Sequence, residues 1–204
     1  TILRADVYHP ADNQKYPTLL CRTPYQKLTS SYVNTATTLA TRGYTVIVQD
    51  QRGRYASEGE YFWMWRHRDE TFDLEDGYDT CEWAARLPWS NGTVGTWGHS
   101  NPSWLAWMLI ASAPPSLKAA LCSGIFKNAL DLTFGIFETG RRLEWTYMMA
   151  ADARRRAADS TGPHTPEAAK KHWNEVERGK YLWWLPLADI PAQVFSTLNK
   201  QLQT

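Results

Sequence analysis

The stretch that decides the fold is TVGTWGHSNPS, residues 93–103, where an apolar run turns into a helix at Ser100. Residues 93–97 have the β-branched composition of a strand. The apolar residues after the turn recur at helical spacing: Trp104, Leu105, Trp107, Met108 and Leu109. A serine at such a turn presents its hydroxyl outward, and the helix N-terminus behind it favours negative charge. Ser100 is therefore a candidate nucleophile, the alternative being a serine that only caps the helix.

Regular alternation of strands and helices surrounds this stretch. The pattern predicts strands over residues 3–8, 17–22, 44–50, 93–97 and 117–122. Helices are predicted over 31–42 and 69–87, and Asn91-Gly92 is predicted to be a turn before the serine-bearing strand. Strands alternating with helices indicate an α/β protein with a mostly parallel sheet and helices on both faces.

The chain changes character near residue 125, after which no further strand is predicted. Residues 138–158 and 166–178 have helical patterns, and the second begins at Pro166. We therefore predict two domains, a sheet domain over 1–124 and part of a helical cap over 125–204.

Composition excludes several classes of protein. The 204 residues are 43% hydrophobic and carry a net charge of +1, which does not favour nucleic acid or acidic surfaces as partners. Arg154-Arg155-Arg156 is expected to be a solvated helix face. The sequence contains no stretch of about 18 apolar residues, so no membrane-spanning helix is predicted. The three cysteines lack metal-ligand spacing, so we expect buried free thiols and a reducing, cytoplasmic location.

Four segments in this order resemble one branch of the α/β-hydrolase superfamily, the X-Pro dipeptidyl-peptidases and cocaine-esterase-like (CocE/NonD) hydrolases. They are RTPYQK (22–27), QDQRGRYASEGE (49–60), WSNGTVG (89–95) and the turn around Ser100. The resemblance covers roughly residues 1–125, and LPLAD (185–189) is a weaker match. It implies an α/β-hydrolase fold with a partial helical cap. The implied reaction cleaves a small ester or a short X-Pro peptide through an acyl-enzyme at Ser100, without metal or cofactor.

The resemblance also implies the rest of the site. Tyr25 would donate its phenolic hydroxyl to the oxyanion, and the backbone N–H of Asn101 would be the second donor. Trp145 matches by position a tryptophan that lines the acyl pocket in cocaine-esterase-like enzymes, the alternative being an aromatic residue that packs between helices. Trp104 is also expected to contact the substrate. The family usually has an aromatic residue at position 101 and a glycine at 103, where this chain has Asn101 and Ser103. Pro102 lacks an N–H, but the required donor lies one residue earlier and survives.

A nucleophilic serine needs a histidine base and a carboxylate, which follow it along the chain in α/β-hydrolases. The resemblance places both beyond residue 204. The histidines of this chain are expected to have packing or solvent roles: His9, His67, His99, His164 and His172. Asp50 and Arg52 are interpreted as structural residues of the loop beside the site, and Asp76 and Asp79 as surface or capping groups.

Two alternatives stay open at this point. The sequence does not decide between ester and peptide substrates, although the aromatic residues of the cap favour an acyl or aryl ester. The second alternative to an active hydrolase is a truncated or degenerate, non-catalytic hydrolase-like protein that binds ligands or partners. Such a protein is expected to expose a sheet edge and apolar surface and to self-associate as a homo-oligomer.

Overall fold

The computed structural model of the chain describes residues 1–62, 72–124, 132–133, 136–137 and 139–184. The chain divides into two compact units, Thr1–Phe126 and Lys127–Thr204. The boundary between them lies outside the described residues, so the predicted division at 124/125 stays a prediction.

The first unit contains a five-stranded sheet whose strands are those that the sequence predicts. They are β1 (Ala5–Tyr8), β2 (Tyr16–Thr23), β3 (Thr45–Asp50), β4 (Ser90–His99) and β5 (Leu117–Ser123). Their spatial order is β1-β3-β2-β4-β5. Only the pairing of β1 with β3 is antiparallel, and the other three pairs are parallel. The predicted α/β class is therefore confirmed.

Among the described residues, three helices accompany this sheet: α1 (Ser30–Ala40), α2 (Asp73–Ala85) and α3 (Asn101–Ala111). Alternate residues of β3 face opposite sides of the sheet. Ile47 packs with Cys81 of α2 and Leu109 of α3, whereas Val46 and Val48 pack with Ala36 of α1. Both faces of the central strand are thus covered, which explains its continuous apolar run.

The predicted turn at Asn91-Gly92 is wrong, because both residues lie inside β4. Gly92 has a φ of +91°, and the pairing of β4 with β2 shifts register between the Ser90 and Val94 positions. The dipeptide therefore forms a local irregularity of the strand, in which the Asn91 side chain accepts the N–H of Thr93 at 3.0 Å.

The second unit begins with two short antiparallel strands, β6 (Leu132–Thr133) and β7 (Ile136–Phe137). The expectation that strands stop near residue 125 is wrong on this point, since two-residue strands leave no periodic signal. Next come α4 (Thr139–Arg156) and α5 (Pro166–His172). The predicted helix over 166–178 continues beyond α5 as a π-helical turn (Trp173–Glu177) and α6 (Arg178–Tyr181).

The basic run of α4 is not wholly a solvated face, which corrects the sequence prediction. Arg155 and Arg156 are exposed, but Arg154 is buried with its guanidinium over the Tyr147 ring. Its Nε–H donates to the carbonyl of Pro163 at 3.1 Å. The aliphatic stem and planar head of arginine allow such burial once its donors are satisfied.

Two of the three cysteines are buried as predicted, and Cys122 is the exception. Cys21 and Cys81 are buried free thiols, whereas Cys122 on β5 is half-buried. The reason is the position of β5 at the edge of the described sheet, where Leu121 is also 70% exposed. Among the described helices, none has the length and apolar character needed to cross a bilayer.

Candidate active site

The turn at Ser100 has the backbone geometry that a nucleophile elbow requires. Ser100 has φ 61° and ψ −126°, a conformation that is unfavourable for a residue with a Cβ. Its N–H donates to the carbonyl of Ser123 on β5 at 2.9 Å, and its own carbonyl accepts the N–H of Ser103 at 2.9 Å. The partly exposed side chain makes no capping hydrogen bond to the described residues of α3. The hydroxyl is thus not used as a helix cap.

The close approach of β4 to α3 depends on Gly98. A Cβ on Gly98 would overlap the backbone carbonyl group of Pro102 and lie 2.6 Å from the nitrogen of Ser103. Position 98 is therefore where this turn requires a glycine. Ser103 fits as a fully buried residue, and its hydroxyl has no hydrogen-bond partner among the described residues.

Asn101 is the first residue of α3, directly after Ser100. The N–H groups of the first helical turn have no acceptor within their own helix, so they can stabilise an anion. The side chain of Asn101 points away from solvent and is 1% exposed. Its amide interacts with the Tyr61 hydroxyl.

Tyr25 lies two residues after the end of β2. Because β2 and β4 are adjacent and parallel, their carboxyl ends meet at one edge of the sheet, which brings the Tyr25 and Ser100 segments to the same edge. The backbone of Tyr25 is fixed on both sides. Its N–H donates to the Thr23 hydroxyl at 3.0 Å, and its carbonyl accepts the Thr29 hydroxyl at 2.9 Å.

The loop after β3 supports this edge, as predicted for Asp50 and Arg52. The buried Asp50 carboxylate accepts the backbone N–H of Lys27 at 2.7 Å and that of Ala56 at 3.3 Å. Arg52 forms a bidentate ion pair with Asp76. The prediction that Asp76 is a surface or capping group is therefore wrong, since it is 6% exposed and pairs with Arg52. Asp79, one turn later, is exposed as predicted.

Asp73 is a buried carboxylate that sequence reasoning missed. Its Oδ1 accepts the Gln51 side-chain amide at 2.9 Å, and its backbone carbonyl accepts a guanidinium N–H of Arg22 at 2.8 Å. Burial raises the pKa of Asp73 to about 6, against the opposing effects of Arg22, Gln51 and Trp104. Asp73 and Asp76 are three residues apart on α2 and therefore lie on one helix face. This spacing was the signal in the sequence that could have indicated a shared environment for the two carboxylates.

Each described histidine has a hydrogen-bond partner other than Ser100. His9 contacts the Pro10 carbonyl and stacks on Trp89, and His99 contacts the Ser123 hydroxyl at 3.0 Å. The partners of the remaining two are the Asp159 carbonyl for His164 and the Tyr147 hydroxyl for His172. His67 lies outside the described residues.

The predicted substrate-contacting tryptophans lie in different units. Trp104 on α3 is half-buried and interacts with Asp73. Trp145 is half-buried on α4 in the second unit. Later in the second unit, Trp184 packs on Tyr181 with ring centroids 5.9 Å apart, whereas Trp183 is 84% exposed. Contact of Trp104 or Trp145 with a substrate stays a prediction, and the weaker family match at 185–189 lies outside the described residues.

Comparison with known proteins places the whole sheet unit and most of the second unit in one family. Residues 1–193 match the X-Pro dipeptidyl-peptidase (S15) family. Cocaine esterase from Rhodococcus sp. (strain MB1 Bresler) is 36% identical over 121 residues, which are 57% of this chain and 20% of that protein. The chain thus spans about a fifth of the length of this curated relative.

Two solved structures are similar in fold. An aminopeptidase from a marine sediment archaeon (Thaumarchaeota archaeon) has a TM-score of 0.61 at 26% identity, covering 88% of this chain and 35% of that one. A CocE/NonD family hydrolase from Staphylococcus aureus has a TM-score of 0.58 at 23% identity, covering 83% and 33%. The second similarity concerns the fold alone.

Proposed function

The chain belongs to the X-Pro dipeptidyl-peptidase (S15) family and has an α/β-hydrolase fold, and from this premise we propose that it carries the nucleophile of a serine hydrolase. The observation that carries the proposal is the conformation of Ser100, with φ 61° between β4 and α3 and a hydroxyl that caps no described helix residue. A strained serine at a strand-to-helix turn exposes its Oγ to a substrate.

In the proposed reaction, Ser100 Oγ attacks the carbonyl carbon of an ester or amide. Its proton passes to a histidine, oriented by a carboxylate, and we place both groups beyond residue 204. The histidine then protonates the leaving alcohol or amine, and water hydrolyses the acyl-enzyme by the reverse sequence. The Asn101 N–H and the Tyr25 hydroxyl stabilise the oxyanion formed in each half of the reaction.

A carboxylic ester is the substrate class that we propose first. The similarity to cocaine esterase, at 36% identity, runs over 121 residues of this chain.

The test compares Ser100→Ala with Ser103→Ala in the protein expressed from its complete reading frame. We expect the first change to lower kcat for a short-chain 4-nitrophenyl ester by about 10⁴-fold or more, because the acyl-enzyme cannot form. Ser103 is a buried serine three residues away and provides the matched control, whose activity should stay close to that of the parent. An Xaa-Pro 4-nitroanilide measured in parallel decides between the two substrate classes.

Equal activity of Ser100→Ala and Ser103→Ala on whichever substrate is turned over would contradict the proposal. Parent protein that hydrolyses neither substrate would instead support the non-catalytic alternative.

A further inference from the structure

We propose that Arg54 and Tyr61 are positioning residues that hold the two oxyanion donors, Tyr25 and Asn101, in one rigid frame. The inference rests on the proposed function, because it concerns the same oxyanion site. All four residues belong to the first unit. Neither Arg54 nor Tyr61 is placed in contact with substrate.

The first contact joins Arg54 to the segment that carries Tyr25. Arg54 lies in the loop after β3 and is 1% exposed. Its Nε–H donates to the carbonyl of Pro24 at 3.0 Å. Pro24 directly precedes Tyr25, and proline restricts its own φ. A hydrogen bond at this carbonyl therefore fixes the direction in which the backbone enters Tyr25.

The second contact joins Arg54 to Tyr61. The centre of the guanidinium lies 4.8 Å from the centroid of the Tyr61 ring, within the range of a cation–π interaction. Tyr61 is 7% exposed, so this interaction is largely shielded from water. A planar guanidinium can stack on a ring and still donate in its own plane, which a lysine cannot do.

The lack of a Cβ at Gly53 allows the Tyr61 segment to pack closely against the loop that carries Arg54. Gly53 has a φ of +69°, and a Cβ there would overlap the backbone nitrogen of Tyr61 and lie 2.7 Å from its Cα. The N–H of Gly53 donates to the carbonyl of Glu58 at 2.9 Å. The loop therefore closes back on itself, and the position of Tyr61 relative to Arg54 is set by backbone contact as well as by stacking.

The last contact joins Tyr61 to the residue after the nucleophile. The Asn101 side chain is 1% exposed, and neither of its amide atoms makes a well-formed hydrogen bond with a described residue. A buried amide of this kind depends strongly on its polar neighbours. The Tyr61 hydroxyl is such a neighbour, and burial raises its pKa, so that it stays protonated and able to donate.

These contacts form a continuous path from Pro24 through Arg54 and Tyr61 to Asn101. The path connects the segments that follow β2 and β4. Misplacing a catalytic group by about 1 Å can cost roughly 10²-fold in rate. We therefore expect that the contribution of the Tyr25 hydroxyl to kcat depends on Arg54.

The test is a double-mutant cycle of Tyr25→Phe and Arg54→Lys in the complete protein, measured as kcat and KM on the same ester. In the parent, Tyr25→Phe should lower kcat about 10²–10³-fold. In the Arg54→Lys background, the same change should lower kcat by only about 10-fold or less, because the Tyr25 hydroxyl is no longer held in position toward the oxyanion. KM should change little in either case. Arg42→Lys, at an exposed arginine after α1, is the matched control and should leave the cost of Tyr25→Phe unchanged.

A second cycle, which combines Tyr61→Phe with Tyr25→Phe, keeps the proposal testable where Arg54→Lys does not fold. This change keeps the ring that stacks on Arg54 but removes the hydroxyl beside Asn101, and it should lower kcat about 3- to 10-fold at unchanged KM. Additive costs in both cycles, with Ser100→Ala still inactive, would overturn the positioning roles and leave the proposed function standing. Activity in Ser100→Ala would instead overturn the proposed function itself.

Discussion

The carboxyl ends of β2 and β4 lie side by side, yet they are held in place by different means. At the end of β4, the conformation of Ser100 and the absence of a Cβ at Gly98 set the turn through local backbone sterics. At the end of β2, the Tyr25 segment is held by side chains from elsewhere, among them Arg54 on the Pro24 carbonyl and Asp50 on the Lys27 N–H. The turn at the end of β4 is set mainly by its own backbone geometry, whereas the segment after β2 depends on side chains of the loop after β3 in addition to its local hydrogen bonds.

The two ends should therefore respond differently to mutation. At the β4 end, the largest losses are expected from changes in the turn itself, at Ser100 or Gly98. Damage at the β2 end can come from residues 25 to 36 positions away in sequence, such as Asp50, Arg54 and Tyr61.

The largest effect concerns the Tyr25 hydroxyl at the β2 end. Tyr25→Phe is expected to lower kcat about 10²–10³-fold with little change in KM, because the hydroxyl acts on charge that develops in the transition state. Tyr78→Phe, at an exposed tyrosine of α2, is the control and should behave like the parent. Steady-state kinetics on the ester of the Ser100 experiment decide the matter. An unchanged kcat in Tyr25→Phe would remove Tyr25 from the oxyanion site.

The next effect compares two glycines of β4. Gly98→Ala is expected to lower the free energy of unfolding by about 3 kcal/mol or more and to lower kcat, because its Cβ would collide with the backbone at Pro102. Gly92→Ala should cost about 1–2 kcal/mol, since Gly92 has a φ of +91° but no atom within 4 Å of the added carbon.

Urea unfolding and ester turnover of both variants provide the measurement. Gly92 lies at the opposite end of the strand from Ser100, so its variant should keep the parent kcat. Equal losses of stability and activity in the two variants would contradict the local account of the turn.

The smallest effect is a pH dependence of stability that comes from Asp73, behind the site. Burial raises the pKa of Asp73 to about 6, so the folded protein binds a proton between roughly pH 4 and 6 that the unfolded chain has released. The free energy of unfolding of the parent should therefore fall, relative to Asp73→Asn, as the pH rises through this window. We expect a change of roughly 2–3 kcal/mol between the two limits.

Parallel urea unfolding of parent and variant near pH 4, 5, 6 and 7 measures this effect. Asp79→Asn, at an exposed carboxylate of the same helix, should show the same pH dependence as the parent. A parallel course for the parent and Asp73→Asn would mean that Arg22 keeps the Asp73 carboxyl ionised throughout.

Much of this molecule could be predicted from the sequence, and the successes follow the same division between local and distant causes. All five strands of the sheet and the turn at Ser100 are encoded within short segments, and the structure has them. The Asn91-Gly92 irregularity was missed because that dipeptide favours a positive φ in turns and strands alike. The burial of Asp76 and Arg154 was missed because it depends on partners distant in sequence or on a packed aromatic ring.

The same reason explains what could be predicted of the site. Ser100, Asn101 and Tyr25 lie in short segments with local signatures. The support that Arg54, Tyr61 and Asp73 provide becomes visible only when the loops that carry them are folded against one another.

The central claim is that Ser100 is an activated nucleophile, and covalent labelling tests it most directly. The complete protein is treated with a fluorophosphonate probe, digested, and the modified residue is located by tandem mass spectrometry. We expect one adduct, on Ser100, which disappears in Ser100→Ala and forms more slowly in Tyr25→Phe. A catalytically active protein that carries the adduct on a different serine, or that resists the probe altogether, would contradict the claim.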